Sequence, residues 1–145
     1  MKLISLEDLV IQRPTQQVFA VLTEPAFFTR TSPSTSNVRA QGALGRGAKF
    51  KRTFRSHGIP NWQTVHVEVC DAPHALALRT RLLLMRVRYT YRLVALDPKT
   101  TLLTLRKEAE TRIPWGALLV HLLTAEEHDG AHLACLREVA ESLPA

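Results

Sequence analysis

"VRYTYRLVALDPKTTLLTLRKEAETR", residues 87–112, alternates apolar and polar side chains on either side of the turn cluster Asp97-Pro98-Lys99-Thr100. Val87, Tyr89, Tyr91 and Leu93 recur at every second position before the cluster, and Leu103, Leu105, Lys107 and Ala109 do so after it. Successive side chains of a strand point to opposite faces, so a period of two marks a strand with one buried face. Asp and Pro pre-set turn geometry. The stretch predicts an antiparallel hairpin with strands at Val87–Leu96 and Leu102–Arg112. Its inner face is apolar apart from two tyrosines and a lysine, and its outer face carries arginines and glutamates.

Working back from the hairpin, the same texture predicts strands at Val38–Gln41, Lys49–Ser56, Trp62–Cys70 and Leu76–Leu84, separated by the turn clusters "HGIPN" and "DAPH". "GALGRGAKF", Gly42 to Phe50, leads into the second of these. Its GxxGxG spacing is neither GxGxxG nor GxxxxGK[ST], and the alternation after it opens a strand where a phosphate loop would open a helix. It reads as a tight turn, with Gly42, Gly45 and Gly47 supplying positive φ or close backbone approach. No nucleotide is implied.

Before these strands, "LEDLVIQRP" reads as an opening strand ending at Pro14, and Thr15 stands as the N-cap of a helix over "TQQVFAVLT". A second short helix is expected in "EPAFFTRT", with "SPSTSN" breaking the pattern after it. Beyond Pro114 the chain reads helical to its end. Leu118, Leu119, Leu122 and Leu123, then Leu133, Leu136, Val139, Ala140 and Leu143, follow at three- and four-residue spacings. The order is one strand, two short helices, six antiparallel strands and a long helix, an α+β arrangement.

Composition bounds the function. A chain of 145 residues is long enough for a single domain with a real core. Glu7 and Asp8 interrupt the N-terminal apolar pattern, so it reads as neither a signal peptide nor a span, and a soluble, cytoplasmic protein is expected. Cys70 and Cys135 lie far apart without ligand spacing and read as buried free thiols. The six histidines are scattered and GxSxG and HExxH are absent, so no catalytic residue is assigned. "EEHDGAH" crowds Glu127, His128, Asp129 and His132, but no second ligand set supports a metal, and the segment reads as solvated helix. No cofactor is expected.

The ordered pieces resemble the START-like superfamily also called SRPBCC, which includes polyketide cyclase/dehydrase-like proteins. "VIQRPTQQVFAVLTEPAFF" is similar to its opening strand, Pro, helix and aromatic pair. "GALGRGAKF" looks like its glycine turn, "VEVCDAPHALAL" like its strand–Pro–strand junction, and "YRLVALDPKTTLLTL" like its closing hairpin. The resemblance covers nearly the whole chain, residues 1–145 as one domain. It implies a helix-grip fold, with a curved antiparallel sheet of about seven strands wrapped on a long C-terminal helix and a largely apolar cavity between them. It also implies a small hydrophobic or amphipathic ligand, such as a lipid, polyketide or aromatic compound.

Strand periodicity then names the side chains expected to line that cavity: Phe50, Arg52 and Phe54; Val65, Val67 and Val69; Leu78, Thr80, Leu82 and Leu84; Tyr89 and Tyr91; Leu105 and Lys107. Arg52, Tyr89, Tyr91 and Lys107 are the polar entries that would orient a ligand. Trp115, Leu119 and Leu122 are expected on the inner face of a lid at the start of the final helix. A bend is expected near Gly130, and Leu133, Leu136, Val139 and Leu143 anchor the rest. Because apolar residues surround most of that helix start, a homodimer contact is the alternative.

Two further readings stand beside ligand carriage. One is a cyclase/dehydrase-like enzyme, in which a shaped pocket needs only one acid or base. The other is binding of nucleic acid, ribosome or an anionic membrane surface through a basic convex face carrying Lys49, Lys51, Arg55, Arg79, Arg81, Arg86, Arg88, Arg92 and Arg106, favoured by the net charge of +6 and opposed by pairing with Glu68, Glu108 and Glu110.

Overall fold

The computed structural model describes residues 2–24, 35–39, 45–56, 59–82, 85–111 and 129–143, with side chains described for these except at 2, 35–39, 52–56, 59–63, 82 and 129–131. Among the described residues there are seven strands: β1 Lys2–Ile11, β2 Thr35–Arg39, β3 Lys49–Ser56, β4 Ile59–Asp71, β5 Ala75–Leu82, β6 Met85–Asp97 and β7 Thr100–Thr111. Two helices accompany them among the described residues, α1 Thr15–Leu22 and α2 Asp129–Glu141. All strands join one curved antiparallel sheet in the order β1-β7-β6-β5-β4-β3-β2. Strands β2 to β7 form a meander, and β1 returns to the far side of β7.

The α+β architecture follows the period-two pattern because each strand has one face to bury. Buried Val65, Val67, Leu76, Leu78, Tyr91, Leu93, Leu103 and Leu105 form a single core with Phe50, Ile11, four residues of α1 and the stripe Leu133, Leu136 and Ala140 of α2. In α1, Val18, Phe19, Val21 and Leu22 occupy adjacent positions on one side of the helix and pack against β6, β7 and α2. The expected anchors Val139 and Leu143 also pack on this core.

Several boundaries differ from the sequence reading. Pro14, not Thr15, holds the N-cap position of α1, at φ −59° and ψ 150°. Its carbonyl accepts from the Val18 amide at 3.1 Å, and Thr15 is the first helical residue. Strand β2 starts at Thr35, inside the expected break, because Thr35 pairs with Phe54 of β3 and that ladder outweighs local turn preference. For the same reason β4 absorbs Ile59 to Asn61 of "HGIPN", which pair back onto Ser56 to Phe54. The expected helix in "EPAFFTRT", and the helix from Pro114 to His128, lie outside the described residues.

Of the turn glycines, Gly47 adopts φ +80°, where a side chain would be strained. Its amide donates to the Val67 carbonyl at 3.1 Å, while the Ala48 amide donates to Gly45 at 2.9 Å. Gly45 has open space around it and no positive φ, so the expected requirement for glycine does not apply there. Gly42 lies outside the described residues.

Two bulges redirect faces. In β4 the register shifts between Val67 and Val69, so that Cys70 pairs with buried Leu76 and packs on the core, while Val69 turns outward at 44% exposure. Val69 is therefore removed from the inner face. Cys70 and Cys135, expected to be buried, are free thiols that the structure leaves only partly buried. In β1 a shift between Leu3 and Ser5 places Ile4 against a second small core of Met85, Val87 and Ala109.

Candidate ligand-binding site

Register across five strands sets the concave face in rows. One row runs Val67, Leu78, Tyr89, Lys107, Ser5; the next runs Cys70, Leu76, Tyr91, Leu105, Glu7. A third begins with Phe50 and continues through Val65, Thr80, Val87 and Ala109. Of the expected lining residues, Phe50, Val67, Leu78, Thr80, Tyr91, Leu105 and Lys107 are all buried. Tyr89, in the middle of this face, is only half-buried.

The polar residues fall into two groups. Lys107 is 1% exposed, and its Nζ stands 5.7 Å from the centroid of the Tyr89 ring. That is within range of a cation–π attraction. Tyr91 lies one inward position along β6, and its hydroxyl shares a 2.9 Å hydrogen bond with Nε2 of His132 on α2. The two rings are tilted by 59° with centroids 6.0 Å apart. The Thr80 hydroxyl donates to the Thr64 carbonyl at 3.3 Å, a bond within the sheet.

His132 was not expected here. It is buried, not part of a solvated segment, and it ties the helix to the sheet. Its position was readable in one respect, since it stands four residues before Leu136 and eight before Ala140 on the buried stripe of α2. Glu127 and His128 lie outside the described residues. Among the expected lining residues, Arg52 and Phe54 occupy β3 positions opposite Gln63 and Asn61, and Leu82 is opposite Met85. The side chains of all three lie outside the described set, as do the whole residues Leu84, Trp115, Leu119 and Leu122.

The convex face carries ion pairs. Glu68 bridges Arg79 at 3.2 Å and Arg88 at 3.1 Å. Arg86 pairs with Glu110 at 3.4 Å and Arg106 with Glu108 at 3.5 Å. Carboxylates thus offset part of the basic field, as the sequence pattern suggested.

This architecture recurs in solved structures. An aromatase/cyclase from Streptomyces sp. R1128 superposes with a TM-score of 0.76 at 18% identity, over 94% of this chain and 92% of that one. A START superfamily protein from Mycobacterium smegmatis gives 0.74 at 14% identity, over 98% and 99%. The chain has the START-like helix-grip fold. Norcoclaurine synthase from Thalictrum flavum, solved in complex with dopamine and hydroxybenzaldehyde, shares the helix-grip fold with a TM-score of 0.75 at 13% identity, over 99% of this chain and 88% of that one. No protein-family model and no curated protein matches the sequence. Among the described residues, no helix of this helix-grip chain is long and apolar enough to cross a membrane.

Proposed function

We propose that the protein binds a small hydrophobic or amphipathic molecule between the concave face of the sheet and α2. The observation that carries this reading is Tyr89. It sits centrally in a row whose neighbours Leu78 and Lys107 are sealed, yet it is itself half-buried. Tyr89 is thus the partly accessible member of a row made of apolar side chains and a lysine, and a few polar groups among apolar ones are the usual make-up of a small-molecule site. The solved helix-grip proteins named above support the same reading, one of them holding two small aromatic compounds.

Titration with the neutral apolar fluorophore N-phenyl-1-naphthylamine tests it. Uptake with saturable enhancement is expected, and Tyr89→Ala should shift the affinity several-fold while Val94→Ala, on the exposed convex side, leaves it within about twofold. Absence of uptake, together with no small molecule extracted from the purified protein and seen by mass spectrometry, overturns the reading.

A second reading, a cyclase-like enzyme, draws on the buried Tyr91–His132 pair, a hydroxyl and an imidazole in hydrogen-bond contact that together hold and move a proton. Under it, Tyr91→Phe abolishes ring closure of a polycarbonyl substrate while N-phenyl-1-naphthylamine uptake persists. Loss of both together assigns Tyr91 to binding alone.

A further inference from the structure

We propose that the convex face of the sheet binds a single-stranded nucleic acid through its phosphates. The surface lies on the opposite side from the concave face and neither uses nor needs the small-molecule reading above. Two neighbouring rows of the register carry it. In one, Lys49 of β3, His66 of β4, Arg79 of β5 and Arg88 of β6 stand opposite one another in turn. Two residues along each strand, the next row sets Lys51 opposite Thr64 and Arg81 opposite Arg86.

Like charges directly opposite one another destabilise a sheet, and mixed signs would keep this face soluble without that cost. Arginine nevertheless faces arginine twice in succession, Arg79 with Arg88 and Arg81 with Arg86. Carboxylates offset part of this, since Glu68 bridges the first pair and Glu110 meets Arg86. Lys49, Lys51 and Arg81 are exposed and, among the described residues, form no ion pair. The paired arginines are themselves open to water, with side chains 43% exposed at Arg79 and 39% at Arg86 and Arg88. A guanidinium has five N–H donors, so a phosphate reaches those that the carboxylate leaves.

Neighbouring strands are about 4.8 Å apart and alternate residues of one strand about 6.7 Å apart, so the two rows form a strip of cations across β3 to β6. The strip lies on the outside of a curved sheet. A flexible single strand follows that curvature. A flat bilayer touches only its crest, and so does a duplex, which is stiff over about 150 bp. Within β3 to β6 the two rows also hold no apolar side chain for a bilayer to take up, and no tyrosine, tryptophan or phenylalanine on which bases stack. Contact is therefore made through backbone charge, without preference among bases.

Fluorescence anisotropy of a fluorescein-labelled oligouridylate of about 20 nucleotides tests this at about 50 mM salt. Micromolar binding is expected, with log Kd rising against log salt by about 0.7 for each phosphate engaged. Lys51→Gln combined with Arg81→Gln should weaken binding roughly tenfold and lower that slope by about 1.4. Lys99→Gln combined with Arg137→Gln removes the same charge from exposed positions on the β6–β7 turn and α2, and should change affinity by less than about twofold. An oligoadenylate of equal length should bind within about threefold of the oligouridylate. Thermal melting checks that both double variants are folded.

No binding by the wild type, or an equal effect of the two double variants, overturns the proposal. It is also overturned if phosphatidylglycerol vesicles at equal phosphate concentration strip the protein from the oligonucleotide, which would make a bilayer the partner. None of these outcomes touches the uptake of N-phenyl-1-naphthylamine, so this proposal and the binding reading fail separately.

Discussion

Tyr91 shows how much can depend on one side chain in this sheet. Its hydroxyl is buried against His132 Nε2, so Tyr91→Phe deletes one partner and leaves a ring nitrogen inside the core without that bond. Unmaking a buried hydrogen bond costs about 1–3 kcal/mol, more than the bond's net contribution, because the orphaned group stays desolvated. Urea unfolding of Tyr91→Phe should show that loss at an unchanged m-value. A loss below about 0.5 kcal/mol would mean that His132 finds another partner. At this scale the sequence was informative about Tyr91 and poor about His132. Alternation puts Tyr91 on the inner face whatever else the chain does. Which strand residue a helix residue touches depends on the helix axis and on its rotation about that axis, and neither is written in the local pattern.

Elements are joined at a point that periodicity does not reveal. The Arg13 guanidinium, just after β1, donates to the carbonyls of Glu141 and Leu143 at the end of α2, with Nη2 to Leu143 at 3.1 Å, and to its neighbour Gln12. The last carbonyls of a helix lack intrahelical partners and carry its negative dipole end, so a cation there both satisfies and attracts them. Thr101 of β7 holds the turn by donating its hydroxyl to the Arg13 carbonyl at 2.7 Å. Arg13→Gln should destabilise the protein by about 2 kcal/mol and speed amide hydrogen exchange in the last turn of α2 while leaving the middle of β6 unchanged. Uniform faster exchange across the protein would instead mark Arg13 as a general contributor to stability. The strands were legible to within a few residues because β-branched and aromatic residues alternate in them. The bulge that exchanges Val69 for Cys70 was not, since one extra residue in β4 has no cost in local pattern and is decided by pairing with β5.

Over the whole molecule, among the described residues, the arginines of β5, β6 and β7 gather on the convex face of the sheet beside exposed Val69 and Val94, and the main core lies on the other face. The concave side buries Leu76, Leu78, Tyr91, Leu93, Leu103 and Leu105 in one core with residues of α1 and α2, and the convex side carries arginines interleaved with carboxylates. Glu68 is central to the balance because its two oxygens engage Arg79 of β5 and Arg88 of β6. These pairs are partly exposed and contribute little to stability, roughly 0–1 kcal/mol each. Their larger effect is on the field that the face presents. Glu68→Gln removes one negative charge and releases two guanidinium groups toward water. The elution of this variant from heparin should move to distinctly higher salt than that of the wild type, with each phosphate- or sulfate-like contact adding to the salt dependence. Its unfolding free energy should change by less than about 1 kcal/mol. Arg81→Gln, made in the Glu68→Gln background, should move elution back toward the wild-type position, since Arg81 shares the convex row with Arg86 and is exposed. An unchanged elution position for Glu68→Gln would mean that the convex arginines do not act as one field, and that the net charge of the chain, +6, is spread too thinly on this face to hold a polyanion.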